Sequence, residues 1–301
     1  MTSPVPNAAA FPTIMSEVAQ QSYPPATLYV VATPIGNAAD IGLRALHVLS
    51  IADAVACEDT RNTTHLLSRY GLSKELMTAH EHNEREAAQK LIARLQAGQR
   101  IALVSDAGTP AVSDPGARIV DAVLAAGLRV MPLPGASAAV AALSASGLVQ
   151  DHFQFVGFLP NKPKQREAAL AALRTTSATL VIYEAPHRIL ETVQALAVAF
   201  EPSRRIVFAR ELTKLFEQIH RCALAEAEAW LIADPNRQKG EFVLVVEGAP
   251  LADEEQAEAE RILRILLAEC PLKQAASLAA QITGLKKNAL YERALQLKNE
   301  D

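Results

Sequence analysis

The stretch IALVSDAGTP at residues 101–110 joins a short apolar run to a loop of small, turn-forming residues, and Ser113-Asp114-Pro115-Gly116 follows it closely. Such a run is typical of a strand buried on both faces, as in a parallel sheet. Gly108 and Pro110 let the backbone approach a ligand, and Asp106 can hold a cationic or hydroxyl-bearing group. Ligands of open α/β sheets bind at the carboxyl ends of the strands, so this loop is a candidate site. An isolated S-D-x-G sequence also describes an ordinary β-turn.

The same strand-then-loop pattern recurs along the chain. Helical stretches such as 85–97 and 166–174 alternate with the apolar runs, which indicates an α/β protein. Eight strands can form one closed barrel or two smaller sheets. The change of loop type after Gly147 favours two α/β subdomains with mostly parallel or mixed sheets. The other seven predicted strands are residues 28–33, 54–59, 128–133, 153–158, 179–184, 205–210 and 242–248.

The two ends of the chain differ from its middle. The first 26 residues are rich in proline, carry Glu17 as their one charged residue and lack a basic start, which argues against a secretory signal. We interpret them as a flexible leader that joins no core. The last segment reads as helices joined at Thr283-Gly284, resembling a helix-turn-helix appendage. The expected division is a leader at 1–26, α/β subdomains at 27–147 and 148–250, and a helical segment at 251–301.

The stretch from Val130 to Gln150 carries no charged residue. Prolines, a glycine and serines interrupt it, so a buried Ala/Ser helix is a better interpretation than a membrane span. That uncharged helix, at 136–147, is a candidate seam for dimerisation.

Composition excludes several classes of protein. Half of the residues are hydrophobic and 21% are charged, so the chain can bury a core and is not a disordered tail. The net charge of −4 supplies no global basic field, so any contact with RNA must come from local patches. Three cysteines lie far apart without a C-x-x-C pair, which argues against a disulfide framework or structural zinc and favours a reducing cytoplasm. His80-Glu81-His82 lacks a nearby third ligand, so we expect a polar loop there and no metal.

The usual nucleotide-binding fingerprints are missing from the sequence. No G-x-x-x-x-G-K-[ST] occurs, and no G-x-G-x-x-G follows the first strand. These absences argue against a P-loop NTPase and a dinucleotide-binding fold.

Six ordered motifs carry a more specific signal. Together they resemble the ribosomal RNA small-subunit methyltransferase I family, which is similar in fold to the tetrapyrrole methylases, and the tail G-L-K-K-N-A-L-Y (284–291) extends the resemblance. The motifs are T-P-I-G-N (33–37), C-E-D-T-R (57–61), S-D-A-G-T-P (105–110), P-G-A-S-A (134–138), Y-E-A-P-H-R (183–188) and A-R-E-L-T-K (209–214).

The resemblance implies a function and a set of residues. It implies a homodimeric enzyme that uses S-adenosyl-L-methionine to methylate the 2′-hydroxyl of a cytidine in 16S ribosomal RNA near the decoding centre. It also implies that the cofactor lies in a cleft between two α/β halves. The positions carried over as cofactor-binding are Pro34, Ser105, Asp106, Ala107, Gly108, Ser137, Ala138, Tyr183, Glu184, Ala209 and Arg210.

Methyl transfer to a hydroxyl needs a proton acceptor. A sulfonium donor is already activated, so the protein must mainly orient the reactants and needs no metal. The ribose 2′-hydroxyl is a weak acid, and a nearby base must accept its proton. We favour Glu58 as this base, with Arg61 orienting the substrate backbone, over the other acidic candidates Asp59, Glu184 and Glu211. The alternative is an intra-loop pair between Glu58 and Arg61.

Local basic residues are the candidates for RNA contact. A solvated face is the alternative explanation for each group. Arg188 can contact substrate or pair with Glu184. The predicted RNA-binding residues are Lys162, Lys164, Arg166, Lys214, Lys286 and Lys287.

Two other functions fit parts of the sequence. A small-molecule methyltransferase acting on a tetrapyrrole shares the cofactor loops but needs no basic patches and no terminal helices. A non-catalytic RNA-binding or ribosome-assembly factor fits the basic patches, but the intact glycine and proline loops argue against it.

Overall fold

The computed structural model describes residues 10–80, 83–148 and 152–300. The chain forms two compact units. The first extends to Ser144 and also includes Glu211–Gln218; the second comprises Ala145–Arg210 and the residues from Ile219 onward. The sequence predicts the boundary three residues later and does not predict the return of 211–218 to the first unit.

The first unit contains a five-stranded parallel sheet in the order β3-β2-β4-β1-β5. Alternate residues of one strand enter cores on opposite faces: Tyr29 lies in one and Leu28 in the other. This two-sided burial explains the continuous apolar runs in the sequence. The strands are β1 Thr27–Val31, β2 Ala54–Cys57, β3 Leu76–Thr78, β4 Arg100–Val104 and β5 Arg129–Leu133.

Helices cover both faces of this sheet. Asp59 begins α3 by accepting a hydrogen bond from the Arg61 amide at 2.7 Å. The buried Glu84 carboxylate accepts the amide of Gly116, the residue before α5, at 2.6 Å. The helices are α1 Ala10–Ala19, α2 Leu43–Ile51, α3 Thr60–Arg69, α4 Glu84–Gln96, α5 Ala117–Ala125 and α6 Ala138–Ser146.

The described part of the predicted leader joins the core of the first unit. Val18 and Tyr23 are only 4% and 8% exposed and pack within the same cluster as Tyr29. The Tyr29 hydroxyl donates to the Pro24 carbonyl at 2.7 Å, and Arg100 Nε donates to the Tyr23 carbonyl at 3.0 Å. The prediction that this segment joins no core is therefore wrong for residues 18–24, because two of its few apolar side chains pack into the cluster on one face of the sheet.

The second unit contains a mixed sheet in the order β6-β7-β10-β8-β9. Strand β6 runs parallel to β7, whereas β10 runs antiparallel to both β7 and β8. The strands are β6 Phe153–Phe158, β7 Thr179–Glu184, β8 Arg205–Arg210, β9 Gln218–Ala223 and β10 Phe242–Val246, and the helices are α7 Pro163–Leu173, α8 Ile189–Ala199 and α9 Leu224–Ile232. The two sheets confirm the predicted α/β class and contradict a single closed barrel.

Three helices follow the last strand: α10 Leu251–Glu269, α11 Leu272–Thr283 and α12 Lys287–Glu300. Leu263, Ala279, Leu290 and Ala294 form their shared core. Gly284 ends α11 with a left-handed φ of 75°, which a residue without a side chain adopts without strain. The predicted helical appendage is confirmed. Within the described residues, no helix has both the length and the apolar character to cross a membrane.

Candidate active site

The first unit brings four of the six motifs to the carboxyl edge of its parallel sheet. The loops after β1 and β4 are joined by two backbone hydrogen bonds between Thr33 and Gly108, of 2.8 and 3.0 Å. The Thr33 hydroxyl also donates to the Ser105 carbonyl at 3.1 Å. These bonds hold the T-P-I-G-N and S-D-A-G-T-P loops against each other, and Pro34 is buried there.

The loop after β5 is attached to the loop after β4. The Thr109 hydroxyl donates to the Ala136 carbonyl at 3.1 Å. Gly135 passes so close to β1 that a Cβ added there would lie 2.7 Å from the Ala32 Cβ. The glycine of P-G-A-S-A is therefore a packing requirement, and it places half-buried Ser137 and Ala138 at the start of α6.

Asp106 connects the loops after β2 and β4. Its Oδ1 accepts the Asp59 amide at 3.3 Å, and its Oδ2 accepts the Asn62 side-chain amide at 2.7 Å. Asp106 and Ala107 remain exposed, so the carboxylate is both oriented and accessible.

Arg61 forms an ion pair inside the C-E-D-T-R loop. Its guanidinium lies 2.6 Å from the Asp59 carboxylate, and its side chain is 88% exposed. The hydrogen bonds from Arg61 lower the pKa of Asp59 to about 2. The structure thus gives Arg61 the partner Asp59.

Asp114 is a site residue that the sequence does not single out. Burial, and then the negative charges of Glu58 and Asp106, raise the pKa of Asp114 to about 6, against the opposing effect of a hydrogen bond with Ser105. Three carboxyl groups therefore lie within electrostatic range of one another. The signal in the sequence was the S-D-P-G turn directly after the S-D-A-G-T-P motif.

The backbone around Asp114 adopts an unusual conformation. Ala111 and Ser113 have left-handed φ angles of 68° and 60°, although neither is glycine. Such residues are held by their surroundings at a cost in free energy and occur often at functional sites.

The A-R-E-L-T-K segment also packs against the loop after β1. The Asn37 amide donates to the Thr213 hydroxyl at 3.1 Å. Gly36 makes room for the Lys214 stem, because a Cβ there would lie 2.6 Å from the Lys214 Cγ. The Lys214 ammonium lies 3.0 Å from the Glu211 carboxylate. Lys214, a predicted RNA contact, is thus held within the first unit.

In the second unit, Glu184 is buried at the end of β7. Its carboxylate accepts the Thr192 hydroxyl at 2.5 Å and the Ala185 amide at 2.8 Å, and it lies 3.3 Å from Arg188. Of the two roles open for Arg188, the structure shows the pair with Glu184. The carboxylate is engaged inside the unit, and the cofactor contact of Glu184 stays a prediction.

Ala209 and Arg210 end strand β8. Ala209 is buried, so it offers only backbone groups. The Arg210 guanidinium donates to the carbonyls of Asn236 and Lys239 at 3.2 and 3.0 Å.

The predicted RNA-binding residues differ in accessibility. Lys162 and Lys164 are exposed. Arg166 is 5% exposed and lies 3.3 Å from Glu191, which contradicts its predicted phosphate contact. Lys287 is exposed at the start of α12, and Lys286 lines a cavity of about 780 Å³ whose other charged residues include both signs, among them Arg174, Glu201, Glu260 and Arg293.

No group of three metal-ligating side chains is found among the residues that the structure describes. Glu81 and His82 of the weighed His80-Glu81-His82 triplet lie outside them.

Sequence comparisons identify relatives over most of the chain. Residues 27–228 match the tetrapyrrole (corrin/porphyrin) methylases, and residues 253–298 match the RsmI C-terminal HTH domain. The ribosomal RNA small subunit methyltransferase I of Escherichia coli O157:H7 is 52% identical over 270 residues, covering 89% of this chain and 94% of that relative. The protein of the same name from Pseudomonas aeruginosa is 52% identical over 273 residues, covering 90% and 97%.

Solved structures share the fold at low sequence identity. The methyltransferase CobJ aligns with a TM-score of 0.55 at 22% identity, covering 74% of this chain and 94% of that one. The cobalt precorrin-4 methyltransferase CbiF aligns with a TM-score of 0.53 at 18% identity, covering 73% and 94%. With the four motif loops gathered at one sheet edge and relatives that match nearly end to end, the chain belongs to the ribosomal RNA small subunit methyltransferase I family and is a methyltransferase with the tetrapyrrole-methylase fold.

Proposed function

We propose that this protein transfers a methyl group from S-adenosyl-L-methionine to the 2′-hydroxyl of a cytidine in 16S ribosomal RNA, near the decoding centre. Family membership supports methylation of ribosomal RNA by an S-adenosylmethionine-dependent enzyme. The observation that carries the proposal is the meeting of the loops after β1, β2, β4 and β5 around Asp106. The cytidine and its 2′-position rest on the resemblance of the six motifs.

The loops of the first unit fit the cofactor. Gly108, with a left-handed φ of 82°, and Gly135, packed against Ala32, allow the loops after β1, β4 and β5 to lie close together. Asp106 is an exposed, oriented carboxylate suited to an amino or hydroxyl group. When bound, S-adenosyl-L-methionine supplies a methyl group activated by a positively charged sulfur.

The residues proposed to hold the cofactor in the first unit are Pro34, Ser105, Asp106, Ala107, Gly108, Ser137 and Ala138. In the second unit, Tyr183, Glu184, Ala209 and Arg210 remain predictions from the family resemblance.

The protein must orient the ribose and accept its proton. Holding two reactants in line can lower the barrier by about 7–11 kcal/mol, and a positioned base adds a factor of roughly 10²–10⁴. Glu58 directly follows β2 and shares the electrostatic environment of Asp106 and Asp114. We assign it the proton of the 2′-hydroxyl and assign Arg61, held by Asp59 at the edge of the same loop, to the substrate backbone.

Methylation of small ribosomal subunits from cells that lack this gene tests the function. Mass spectrometry of the 16S ribosomal RNA should show a new 2′-O-methylcytidine after incubation with protein and S-adenosyl-L-methionine. A methyl group at another atom, or on no RNA at all, would contradict the proposal. Absence of heat on titrating the cofactor into the protein would favour the non-catalytic alternative.

A variant separates binding from chemistry. Glu58→Gln should keep the affinity for S-adenosylhomocysteine and lower turnover about 100-fold or more, because the amide cannot accept the proton. Glu86→Gln, on the exposed surface of α4, is the matched control and should retain full turnover. Full turnover by Glu58→Gln would assign the base to another residue.

The predicted homodimer and cytoplasmic location stay predictions.

A further inference from the structure

The edge strand β6 of the second unit contains a β-bulge that changes which side chains share a face. Phe155 pairs with Val181 and Gly157 with Ile182, so Val156 is an extra residue. Gly157 has a left-handed φ of 71°, which a residue with a side chain would adopt only with strain. Without the bulge, Phe155 and Phe158 would point to opposite faces, because strand side chains alternate.

The bulge instead builds a cluster of three rings, Phe155, Phe158 and Tyr183, which we call the aromatic cluster. The Tyr183 ring meets Phe155 edge-on at 5.0 Å between centroids and Phe158 edge-on at 5.7 Å. Edge-to-face packing of this kind fixes the orientation of the rings. Phe158 is therefore a held side chain, although it is 54% exposed.

The loop that follows Phe158 leads to exposed lysines and is held by hydrogen bonds from Arg188. Arg188 donates to the Leu159 carbonyl at 2.7 Å and also bonds the Asn161 side chain. Arg188 is itself held by the buried Glu184. These hydrogen bonds fix the backbone up to the start of α7, where Lys162 and Lys164 are exposed.

We propose that Phe158, supported by Phe155 and Tyr183, stacks on an unpaired nucleobase of the substrate RNA while Lys162 and Lys164 contact the neighbouring phosphates. Stacking on an aromatic ring together with nearby positive charge is the usual way in which proteins bind single-stranded nucleic acid. This inference rests on the proposed function and names a binding surface for the same substrate.

The chemistry of the surface favours RNA over a protein partner. An exposed ring that is fixed in orientation offers a flat face, and every base has a matching flat face. The two exposed lysines supply the positive charge that phosphates require, in a chain whose net charge is −4. A protein partner would be expected to cover a broader apolar patch without needing either lysine.

Binding of full-length protein to 16S ribosomal RNA transcribed in vitro tests the inference. Phe158→Ala should raise the dissociation constant about 10-fold in a filter-binding assay, within the range known for loss of one stacked base. Phe158→Trp should bind within about twofold of the wild type, because it keeps a flat ring. Phe153→Ala is the matched control: Phe153 lies on the same strand, is 53% exposed and lies outside the aromatic cluster.

Calorimetry with S-adenosylhomocysteine tests whether Phe158 stacks on the RNA or on the cofactor. Equal affinity of wild type and Phe158→Ala for S-adenosylhomocysteine supports a surface for RNA. Weakened cofactor binding with unchanged RNA binding overturns the inference, as does a change of oligomeric state in Phe158→Ala.

The same measurements distinguish failure of this inference from failure of the proposed function. If the wild-type protein methylates small subunits and Phe158→Ala binds and methylates them equally well, only this inference is overturned. Wild-type protein that neither binds nor methylates the RNA overturns both.

Discussion

Asp114 illustrates how a single residue acquires its properties from its neighbours. Its carboxyl is partly buried beside Glu58 and Asp106, and these surroundings raise its pKa to about 6. A pKa near the working pH is a common property of groups in active sites, although structural carboxyl clusters show it too. Asp106 and Asp114 share the loop between β4 and α5, whereas Glu58 lies in the loop after β2, so no local pattern reveals that all three are close together.

Asp114→Asn should make the protein more stable at pH 7.5. The folded state holds the Asp114 proton more tightly than the unfolded state does, so ionisation of Asp114 destabilises the fold. This destabilisation grows as the pH rises from about 4 to about 6 and is constant above that. The asparagine lacks this penalty, and the expected gain is on the order of 1 kcal/mol after allowing for solvent screening. Urea unfolding of both proteins at pH 4 and 7.5 measures it.

The gain should shrink to a small remainder at pH 4, where the carboxyl is protonated in the folded state and about half protonated in the unfolded state. Asp121→Asn, exposed on α5, controls for the loss of one negative charge. An equal difference at both pH values would show that the effect of Asp114→Asn does not arise from titration.

Asp106→Ala should weaken cofactor binding without unfolding the chain. The side chain is exposed, and its two hydrogen bonds, to the Asp59 amide and to the exposed Asn62 side chain in the first turn of α3, lie at the surface. We therefore expect a small loss of stability and a loss of affinity of about 10-fold or more. Calorimetric titration of S-adenosyl-L-methionine, with circular dichroism to verify folding, checks this. Unchanged affinity in the folded variant would remove Asp106 from the site.

At the scale of elements, continuous apolar runs indicate burial and not strand direction. All five residues of β10 are buried, as in the parallel strand β2, yet β10 runs antiparallel to both of its neighbours. Helices on both faces of a sheet bury its central strands whatever their direction. The run therefore predicts a central strand, and only the pairing shows its orientation.

The turn after β10 depends on a close backbone approach. A Cβ added to Gly248 would lie 1.7 Å from the Ser177 carbonyl oxygen, and the next residue, Ala249, donates its amide to Thr176 at 2.7 Å. Gly248→Ala must displace one of these segments, so we expect a loss of about 3 kcal/mol in the free energy of unfolding. Thermal denaturation measures the loss.

Gly42→Ala is the control for that variant. Its added Cβ would lie 3.4 Å from the nearest atom, the Pro134 carbonyl oxygen, and its φ of −68° suits any residue. The expected loss is below about 1 kcal/mol. Similar losses for the two glycines would contradict the steric explanation.

At the scale of the whole molecule, the charge distribution decides how RNA is bound. A net charge of −4 repels a polyanion at long range, so affinity must come from local contacts. Binding to 16S ribosomal RNA should weaken steeply between low and physiological salt, because each phosphate contact releases counterions.

Lys162→Gln/Lys164→Gln should reduce the slope of log affinity against log salt by about 2. Filter binding at several salt concentrations measures the slope. Arg85→Gln/Lys90→Gln removes two exposed positive charges from α4 and should leave the slope unchanged. Equal slopes for both double variants would place the phosphate contacts elsewhere.

The sequence by itself determined the α/β class, eight of the strands, the terminal helices and the loops of the candidate site. These features follow from local information, because the length of an apolar run and the positions of glycine and proline restrict a short segment regardless of the rest. It did not reveal β3, which is only three residues long, or β9, in which polar and apolar residues are mixed.

Tertiary structure alone decided the features that depend on residues far apart in the chain. It placed Val18 in the core, turned Arg166 inward to Glu191, and gathered Asp114 with Glu58 and Asp106. Burial, pKa and ion pairing are set by whatever atoms surround a side chain in space, and the order of residues along the chain does not specify those surroundings.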